Sequence, residues 1–293
     1  MIDLHIHTEA SDGSDSIPEL LSKLKECGIH TFAVTDHDTI DGALEMEHVV
    51  WQGARYVKGV EFSCVSPFGK CHILGYGYNA SDPQLLAALK EGAELRMAKL
   101  GQRLSYVQET YHIQFAQEEL DWLYSLKSPG KPHIAELLLK RGIGKDRNDV
   151  IRNYIHGTKN EADRILAQTA ISGILHAGGI PVWAHPLGGE GDELLSNEQF
   201  TVQLRSLIKS GIRGLECHYS RYSKEQVQFL REKAVRHHLL ISGGSDYHGS
   251  RKNIALGTLN AYGEPVYEED LTILQEISGN ATGIENSCRP GGL

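Results

Sequence analysis

The chain has 293 residues, 40% of them hydrophobic and 23% charged, with 31 glycines, a composition that supports a sizeable core and excludes a disordered or fibrous chain. Its formal net charge of −9 gives a field that repels long polyanions, so duplex nucleic acid is a poor partner. No apolar run approaches the roughly 18 residues that span a bilayer, and no basic segment with an apolar signal core opens the sequence; an unanchored cytoplasmic protein is expected.

In chain order, "MIDLHIHT" predicts a short strand and "SIPELLSKLKECG" a helix, with Ser16 as N-cap, Pro18 in the first turn and Gly28 as the stop. "IHTFAVTDHD" reads as a strand, "DGALEMEHVVWQGA" as a helix, and "RYVKGVEFSC" and "KCHILGYGY" as two further strands. This alternation predicts parallel pairing with helices outside. From about Asp82 to Ala170 the sequence is polar and helical, broken by "SLKSPGKPH" and "KRGIGKD", which predicts an inserted helical cap over 82–170 between barrel segments 1–81 and 171–293. The alternation then resumes: helix "ADRILAQTAISGILHAGG", strand "IPVWAHP", helix "NEQFTVQLRSLIKSG", strand "RGLECHY", helix "SKEQVQFLREKAVRHH" and strand "LLISGGSDYH". No repeat of 20 to 50 residues is visible. The five cysteines, Cys27, Cys64, Cys71, Cys217 and Cys288, lack the close pairs of a zinc ribbon and read as reduced thiols.

Polar residues gather at the ends of the predicted strands, where α/β barrels keep their chemistry. Side chains at i and i+2 of a strand share a face, so His5 and His7 project together. With them, Asp12, His37, Glu61, His72, His185, Asp246 and His248 make six imidazoles and three carboxylates, enough for two or three divalent ions of the Mn, Fe or Zn type. A single histidine is more often a satisfied core residue than a ligand. Three doublets at strand ends, "HIH", "DHD" and "DYH", are hard to reconcile with packing alone.

The motifs "DLHIHTEASDGS", "AVTDHDTIDG", "GVEFS", "HILGYG", "AHP" and "GSDYHG", in this order, resemble those of the polymerase and histidinol phosphatase (PHP) family, and most closely its stand-alone phosphoesterases. They cover about residues 2 to 78 and 171 to 260. The resemblance implies a distorted (β/α)7 barrel with an inserted, mainly helical cap. It also implies three metal sites: His5, His7, Glu61 and Asp246; Glu61, His72 and His185, with Glu61 bridging; and Asp12, His37 and His248. Asp36 and Asp38, flanking His37, would orient ligands from behind. Glu61 and Asp246 would then stand at the catalytic centre, where a water bridging two ions loses its proton near neutral pH and can attack phosphorus. His218 in "LECHYSRYS" is the candidate proton donor to the leaving oxygen, weighed evenly against a histidine that merely lines its strand end.

The cap is the natural place for groups that select the substrate. "KSPGKPHIAELLLKRG" resembles a segment that in related phosphatases reads Arg-Pro-His and contacts substrate phosphate; here Lys131 replaces the arginine and His133 remains. A lysine offers a point charge instead of a bidentate fork. Arg96, Arg103, Lys159 and Arg221 are further candidates for a second phosphate or a sugar, and the first three read more readily as solvated charges. The tyrosines Tyr76, Tyr78, Tyr219, Tyr222 and Tyr247 could stack on a base, although aromatics at strand ends more often pack. "GGEGDE" lacks the lysine of a phosphate-binding P-loop and is acidic.

The expected activity is metal-dependent hydrolysis of a small phosphorylated substrate: a nucleotide, a nucleoside bisphosphate or a sugar phosphate. Alternatives are a phosphodiesterase opening a cyclic sugar phosphate and then releasing phosphate, or an exonuclease on short oligonucleotides. From other classes, a non-catalytic metal-stabilised module is disfavoured because none of the nine ligand positions is lost. Amidohydrolase-type C–N hydrolysis is disfavoured because a glutamate, not a lysine, holds the bridging position. Oligomeric state is not legible.

Overall fold

The computed structural model describes residues 1–158, 164–189 and 195–277; Lys159, residues 190–193 of the acidic loop and the carboxy-terminal tail with Cys288 lie outside them. The chain begins with β1 (Ile2–Ile6), α1 (Ile17–Glu26), β2 (Thr31–Val34), α2 (Asp41–Val49) and the adjoining strands β3 (Arg55–Ser66) and β4 (Gly69–Tyr76). A helical stretch follows: α3 (Pro83–Tyr111), α4 (Gln117–Ser125), α5 (Lys131–Lys140) and α6 (Arg147–Val150), which runs into a π-helical turn, Ile151–Ile155. The last third contains β5 (Ile165–Leu166), α7 (Ala167–His176), β6 (Ile180–Trp183), α8 (Asn197–Ser210), β7 (Gly214–Tyr219), α9 (Lys224–Arg236) and β8 (Leu240–Gly244).

Local sequence accounts for several of these boundaries. Ser16 precedes α1, and its amide and hydroxyl both donate to Glu19, at 2.9 and 2.7 Å, while Ile17, Leu20 and Leu24 form the buried face. At the other end Gly28 takes φ +64° and the Ile29 amide donates back to the Leu24 carbonyl, a Schellman stop that glycine adopts without strain. The helix expected to begin at Ala162 begins instead at Ala167, because Ile165 and Leu166 pair with Cys64 and Val65 of β3 as a two-residue strand.

Seven strands follow one another in the order β1, β2, β3, β4, β6, β7, β8, and β5 attaches to the side of β3. The sheet curls into a nearly closed barrel: the Asp246 amide donates to His5 O at 2.9 Å and the His7 amide to Tyr247 O at 2.8 Å, joining the ends of β8 and β1. Buried Asp3 braces this seam by accepting from the Ser245 amide, the Ser245 hydroxyl and the Gly257 amide. The all-parallel expectation needs correction, since β4 runs antiparallel to both β3 and β6. The reason is length. Only Pro67 and Phe68 separate β3 from β4, enough for a hairpin and far too few for the crossover that a parallel pair requires. His72 therefore reaches the functional rim from the first half of a reversed strand, opposite Ser63.

The largest apolar cluster packs the barrel against α7, α8 and α9 through residues such as Phe62, Leu74, Ile171, Trp183, Phe200 and Leu230. A separate cluster, from Leu100 to Ile155, belongs to the helical stretch. Helix α3 enters both: Leu85, Ala88 and Leu89 pack with the barrel, and Leu100, Leu104 and Val107 with the helices. At 29 residues it is about 43 Å long, a rigid strut between the two cores. No described helix is long and apolar enough to cross a membrane. The four described cysteines are all free thiols.

The β1–β8 seam leaves no room for a side chain at Gly244, where an added Cβ would lie 2.3 Å from His5 Cβ and 2.4 Å from His5 N. Gly244→Ala is therefore expected to cost about 2 kcal/mol or more and to lower the melting temperature by about 5 °C or more. Thermal unfolding followed by circular dichroism checks this, and an unchanged transition would show that the seam is looser than these distances imply.

Candidate metal centre

All nine candidate ligands expected from the sequence meet at one rim of the barrel, where the parallel strands have their carboxyl ends. Glu61, fully buried on β3, stands at the centre. One of its oxygens, Oε2, is 3.2 Å from His5 Nε2, 3.1 Å from His7 Nε2 and 3.2 Å from His37 Nδ1. The other, Oε1, is 3.0 Å from His72 Nδ1 and 3.1 Å from His185 Nε2. Asp246 Oδ1 lies 3.6 and 3.4 Å from the Nε2 atoms of His5 and His7, and Asp12 Oδ1 lies 3.2 Å from His248 Nε2.

Three groups have potential ligand atoms that all fall within 4.8 Å of one another: His5, His7, Glu61 and Asp246; His7, Asp12, His37 and His248; and His37, Glu61 and His72. The first matches the set that the family resemblance implies. The second adds His7 to the expected trio, and the third brings His37 to the Glu61 and His72 side, where His185 also touches Glu61. His37 thus faces two ways, with Nδ1 on Glu61 and Nε2 4.0 Å from Asp12 Oδ2.

The donor set fits cations. Asp12 Oδ1, His37 Nδ1 and Glu61 Oε2 are buried and make no hydrogen bond, which is costly for polar atoms unless something else satisfies them. Burial opposes charge on Glu61, yet His5, His37 and His72 hold its carboxyl well below the usual carboxylate range. The same conflict at Asp12 is decided by His248 and His37, which also keep it ionised. Mixed imidazole and carboxylate donors suit Zn, Mn and Fe. Backbone strain concentrates here too: Asp38, His185 and Asp246 all have positive φ, at 53°, 27° and 59°.

Around this cluster, Asp36 accepts from the Thr8 amide and hydroxyl and from Ser11 Oγ, so it fixes the loop that carries Asp12. Asp38 behaves differently from the expectation that it orients a ligand. Its carboxylate receives Arg96 Nε at 2.9 Å and Nη2 at 2.6 Å, and also the Ser63 amide. Glu216, which sequence reasoning missed, takes up the role behind the ligands: Oε1 is 2.8 Å from His5 Nδ1, and Oε2 accepts the His185 amide at 2.7 Å. Lys252, also missed, places Nζ 2.6 Å from Asp246 Oδ2, to which the Tyr219 hydroxyl donates as well.

His218 is placed as the alternative reading has it, on its strand and apart from the ligands. A bulge in β7 sets Glu216 opposite Ser242 and His218 opposite Gly243, which breaks the i, i+2 relation between the two. Glu216 and Tyr219 contact the cluster, whereas His218 turns to Arg231 of α9, 3.1 Å from its Nε2. Burial, with Arg231 adding to it, pushes the imidazole down to about 4. It is therefore neutral near pH 7, with Arg231 and not a cluster residue as the hydrogen-bonding neighbour of its Nε2.

The substrate-side candidates divide. Arg96 borders a small cavity of about 50 Å3 together with Lys99, Arg103 and Arg164, beside Asp38 and Ser63. Arg164, not singled out from sequence, also sets Nη1 2.8 Å from His72 Nε2 and so links this cavity to the cluster. His133 is buried at the start of α5, with Nδ1 accepting the Gly130 amide and Nε2 2.9 Å from Arg251 Nη1. Lys131, the first residue of α5, is half-buried, and Arg221 is exposed in the turn after β7. The tyrosines follow the packing alternative, with hydroxyls donating to Leu4 O (Tyr76), Gly59 O (Tyr78) and Asp15 (Tyr247).

Two outcomes follow from these contacts. Glu216→Gln is expected to weaken manganese binding by about 10- to 100-fold with the fold retained, as read by calorimetric titration; unchanged affinity would remove Glu216 from the ligand scaffold. His218 has a folded pKa below its unfolded value, so the unfolded chain takes up the proton first. Its contribution to stability is full above about pH 6.5 and is lost as the pH falls towards 4. His218→Gln should lose less stability than the wild type between pH 7 and pH 5 in denaturant titrations, and parallel losses would contradict the assignment.

Residues 3–170 match the PHP domain family. Among curated proteins, the chain is 28% identical to a phosphoribosyl 1,2-cyclic phosphate 1,2-diphosphodiesterase of Eggerthella lenta over 84% of this chain and 94% of that one. It is 27% identical to a 3′,5′-nucleoside bisphosphate phosphatase of Chromobacterium violaceum, covering 84% and 87%, and 29% identical to the 5′-3′ exoribonuclease Rnm of Salmonella typhimurium, covering 87% of each. A crystal structure from Bifidobacterium adolescentis, described as that of a candidate metal-dependent phosphoesterase, superposes with a TM-score of 0.78 at 26% identity over 94% of both chains. With residues 3–170 matching its model and the fold shared with a metal-dependent phosphoesterase structure, this chain belongs to the PHP domain family.

Proposed function

We propose that this chain is a metal-dependent phosphoester hydrolase acting on a small phosphorylated substrate in the cytoplasm. The observation that carries the reading is Glu61, buried amid five imidazoles, with its two oxygens facing different members of the cluster. His5, His7, Glu61 and Asp246 would hold one divalent ion of the Mn, Fe or Zn type, Glu61, His72 and His185 a second, and Asp12, His37 and His248 a third. When bound, such ions supply positive charge for phosphoryl oxygens and acidify a water.

The chain's own groups account for the rest. A cavity of about 360 Å3 opens beside His72 and His185, lined also by Lys70, Arg164 and Trp183, and its volume suits a nucleotide or a sugar phosphate. The Arg96, Lys99, Arg103 and Arg164 cavity adjoins it through Arg164, and these cations draw an anionic substrate towards a rim whose own carboxylates would repel it. Asp38 holds the Arg96 guanidinium in one orientation, so little rotamer entropy remains to be lost when a phosphoryl group binds. The acidic net charge favours short ligands over long nucleic acid. Hydrolysis of a cyclic sugar phosphate is the second reading, favoured by the likeness to the Eggerthella lenta diphosphodiesterase. The four cysteines among the described residues are free thiols, which fits a reducing compartment.

The test is phosphate release by manganese-loaded protein from a panel of nucleotides, nucleoside bisphosphates, sugar phosphates and cyclic sugar phosphates. Glu61→Gln should lower kcat/KM about a thousandfold, equal to about 4 kcal/mol. Arg96→Met should raise KM about tenfold with a smaller change in kcat. Release from none of these esters, or a fully active Glu61→Gln, would refute the reading; appearance of the opened monoester before free phosphate would favour the cyclic substrate.

A further inference from the structure

The two carboxylate oxygens of Asp246 have different surroundings. Oδ1 faces imidazoles, 3.6 Å from His5 Nε2, 3.4 Å from His7 Nε2 and 3.5 Å from His248 Nδ1. Oδ2 accepts from Lys252 Nζ at 2.6 Å and from the Tyr219 hydroxyl at 3.1 Å. The backbone of Asp246 is already fixed, since its amide donates to His5 O and its φ is +59°. Rotation of the side chain is the freedom that remains, and two donors on Oδ2 remove it.

Lys252 is itself anchored. It follows the short turn Gly249–Arg251, which is tied down on several sides: the Ser250 amide donates to Ser14 Oγ at 2.8 Å, Arg251 reaches His133 at 2.9 Å and Glu136 at 3.2 Å, and the Arg251 carbonyl accepts from Arg147. Burial opposes the charge on Lys252, and Asp246, then Asp12 and Glu61, offset that cost. The ammonium thus stands in the field of all three carboxylates of the cluster. An ammonium so close to a cation site repels the cation. Charge alone therefore gives no reason to keep a lysine there, whereas the geometry of Asp246 does.

We propose that Lys252, together with Tyr219, is a positioning residue of the metal centre, which occupies Oδ2 so that Asp246 presents Oδ1 alone to an ion. A carboxylate free to rotate can chelate with both oxygens and fill the coordination shell. Holding one oxygen back keeps a position for water or a phosphoryl oxygen, as an open metal site requires. The proposal rests on the metal-centre part of the hydrolase reading and is independent of which ester is the substrate.

The experiment titrates manganese calorimetrically into metal-stripped wild type, Lys252→Met, Lys252→Arg, Asp246→Ala and the Asp246→Ala/Lys252→Met double variant, with circular dichroism confirming each fold. Lys252→Met should bind manganese about tenfold more weakly, although loss of a like charge would by itself strengthen binding. Lys252→Arg, which keeps a charged donor, should recover most of the affinity. In the Asp246→Ala background Lys252→Met should cause no further loss, because the effect passes through Asp246. Equal or tighter binding by Lys252→Met, or a second loss of the same size in the double variant, would overturn the proposal. Should Lys252→Met fail to fold, Tyr219→Phe decides: a loss of about threefold or more supports the proposal and unchanged affinity refutes it. A wild type that binds no manganese refutes the metal centre and the proposal together, whereas a binding wild type with indifferent variants refutes the proposal alone.

Discussion

A buried carboxylate ringed by imidazoles is the constraint on which the rest of the structure depends. Glu61 is shielded from water and stays ionised only because nitrogen atoms from four strands or strand ends surround it. A carboxylate in that position is costly without compensating partners, and so are the buried, unbonded atoms of Asp12 and His37 beside it. The barrel supplies a frame stiff enough to hold these groups together, and bound cations would convert the concentration of donors from a liability into binding energy.

The irregularities of the barrel serve this end. The reversed β4 sends His72 to the rim from the middle of the sheet path, the β7 bulge turns Glu216 and Tyr219 towards the cluster, and the β1–β8 seam sets His5 and His7 against Asp246. Asp3, Asp36 and Glu216 form a layer of carboxylates behind the ligands. Each is fully buried and spends its oxygens on backbone amides, hydroxyls or an imidazole, which fixes the loops at little conformational freedom. Strained backbone at Asp38, His185 and Asp246 persists because these surroundings leave no alternative.

The helical stretch contributes charge of the other sign. Arg96, Lys99 and Arg103 line a small cavity with Arg164, whose Nη1 meets His72, and His133 of α5 meets Arg251 in the turn after His248. Helix α3, shared between both cores, keeps these surfaces in fixed relation.

The ligand positions were legible from the sequence because strand periodicity and strand ends are local properties: His5 and His7 share a face wherever a strand forms, and the Asp-X-His and His-X-His doublets survive any detail of packing. The outer helices were legible for the same reason, as Ser16, Glu19 and Gly28 show at α1. Tertiary structure decided what depends on partners distant along the chain. It set the side of β7 on which His218 lies, which a single bulged residue reversed; the direction of β4, by contrast, follows from a local two-residue hairpin that the alternation of elements concealed. It also chose the partners of Asp38, since period-2 reasoning assigns a face but not what fills the space beyond it. Glu216 and Arg164 became visible only when contacts separated by 211 and 92 residues were closed, because a charged residue acquires its role from the neighbours that folding brings to it.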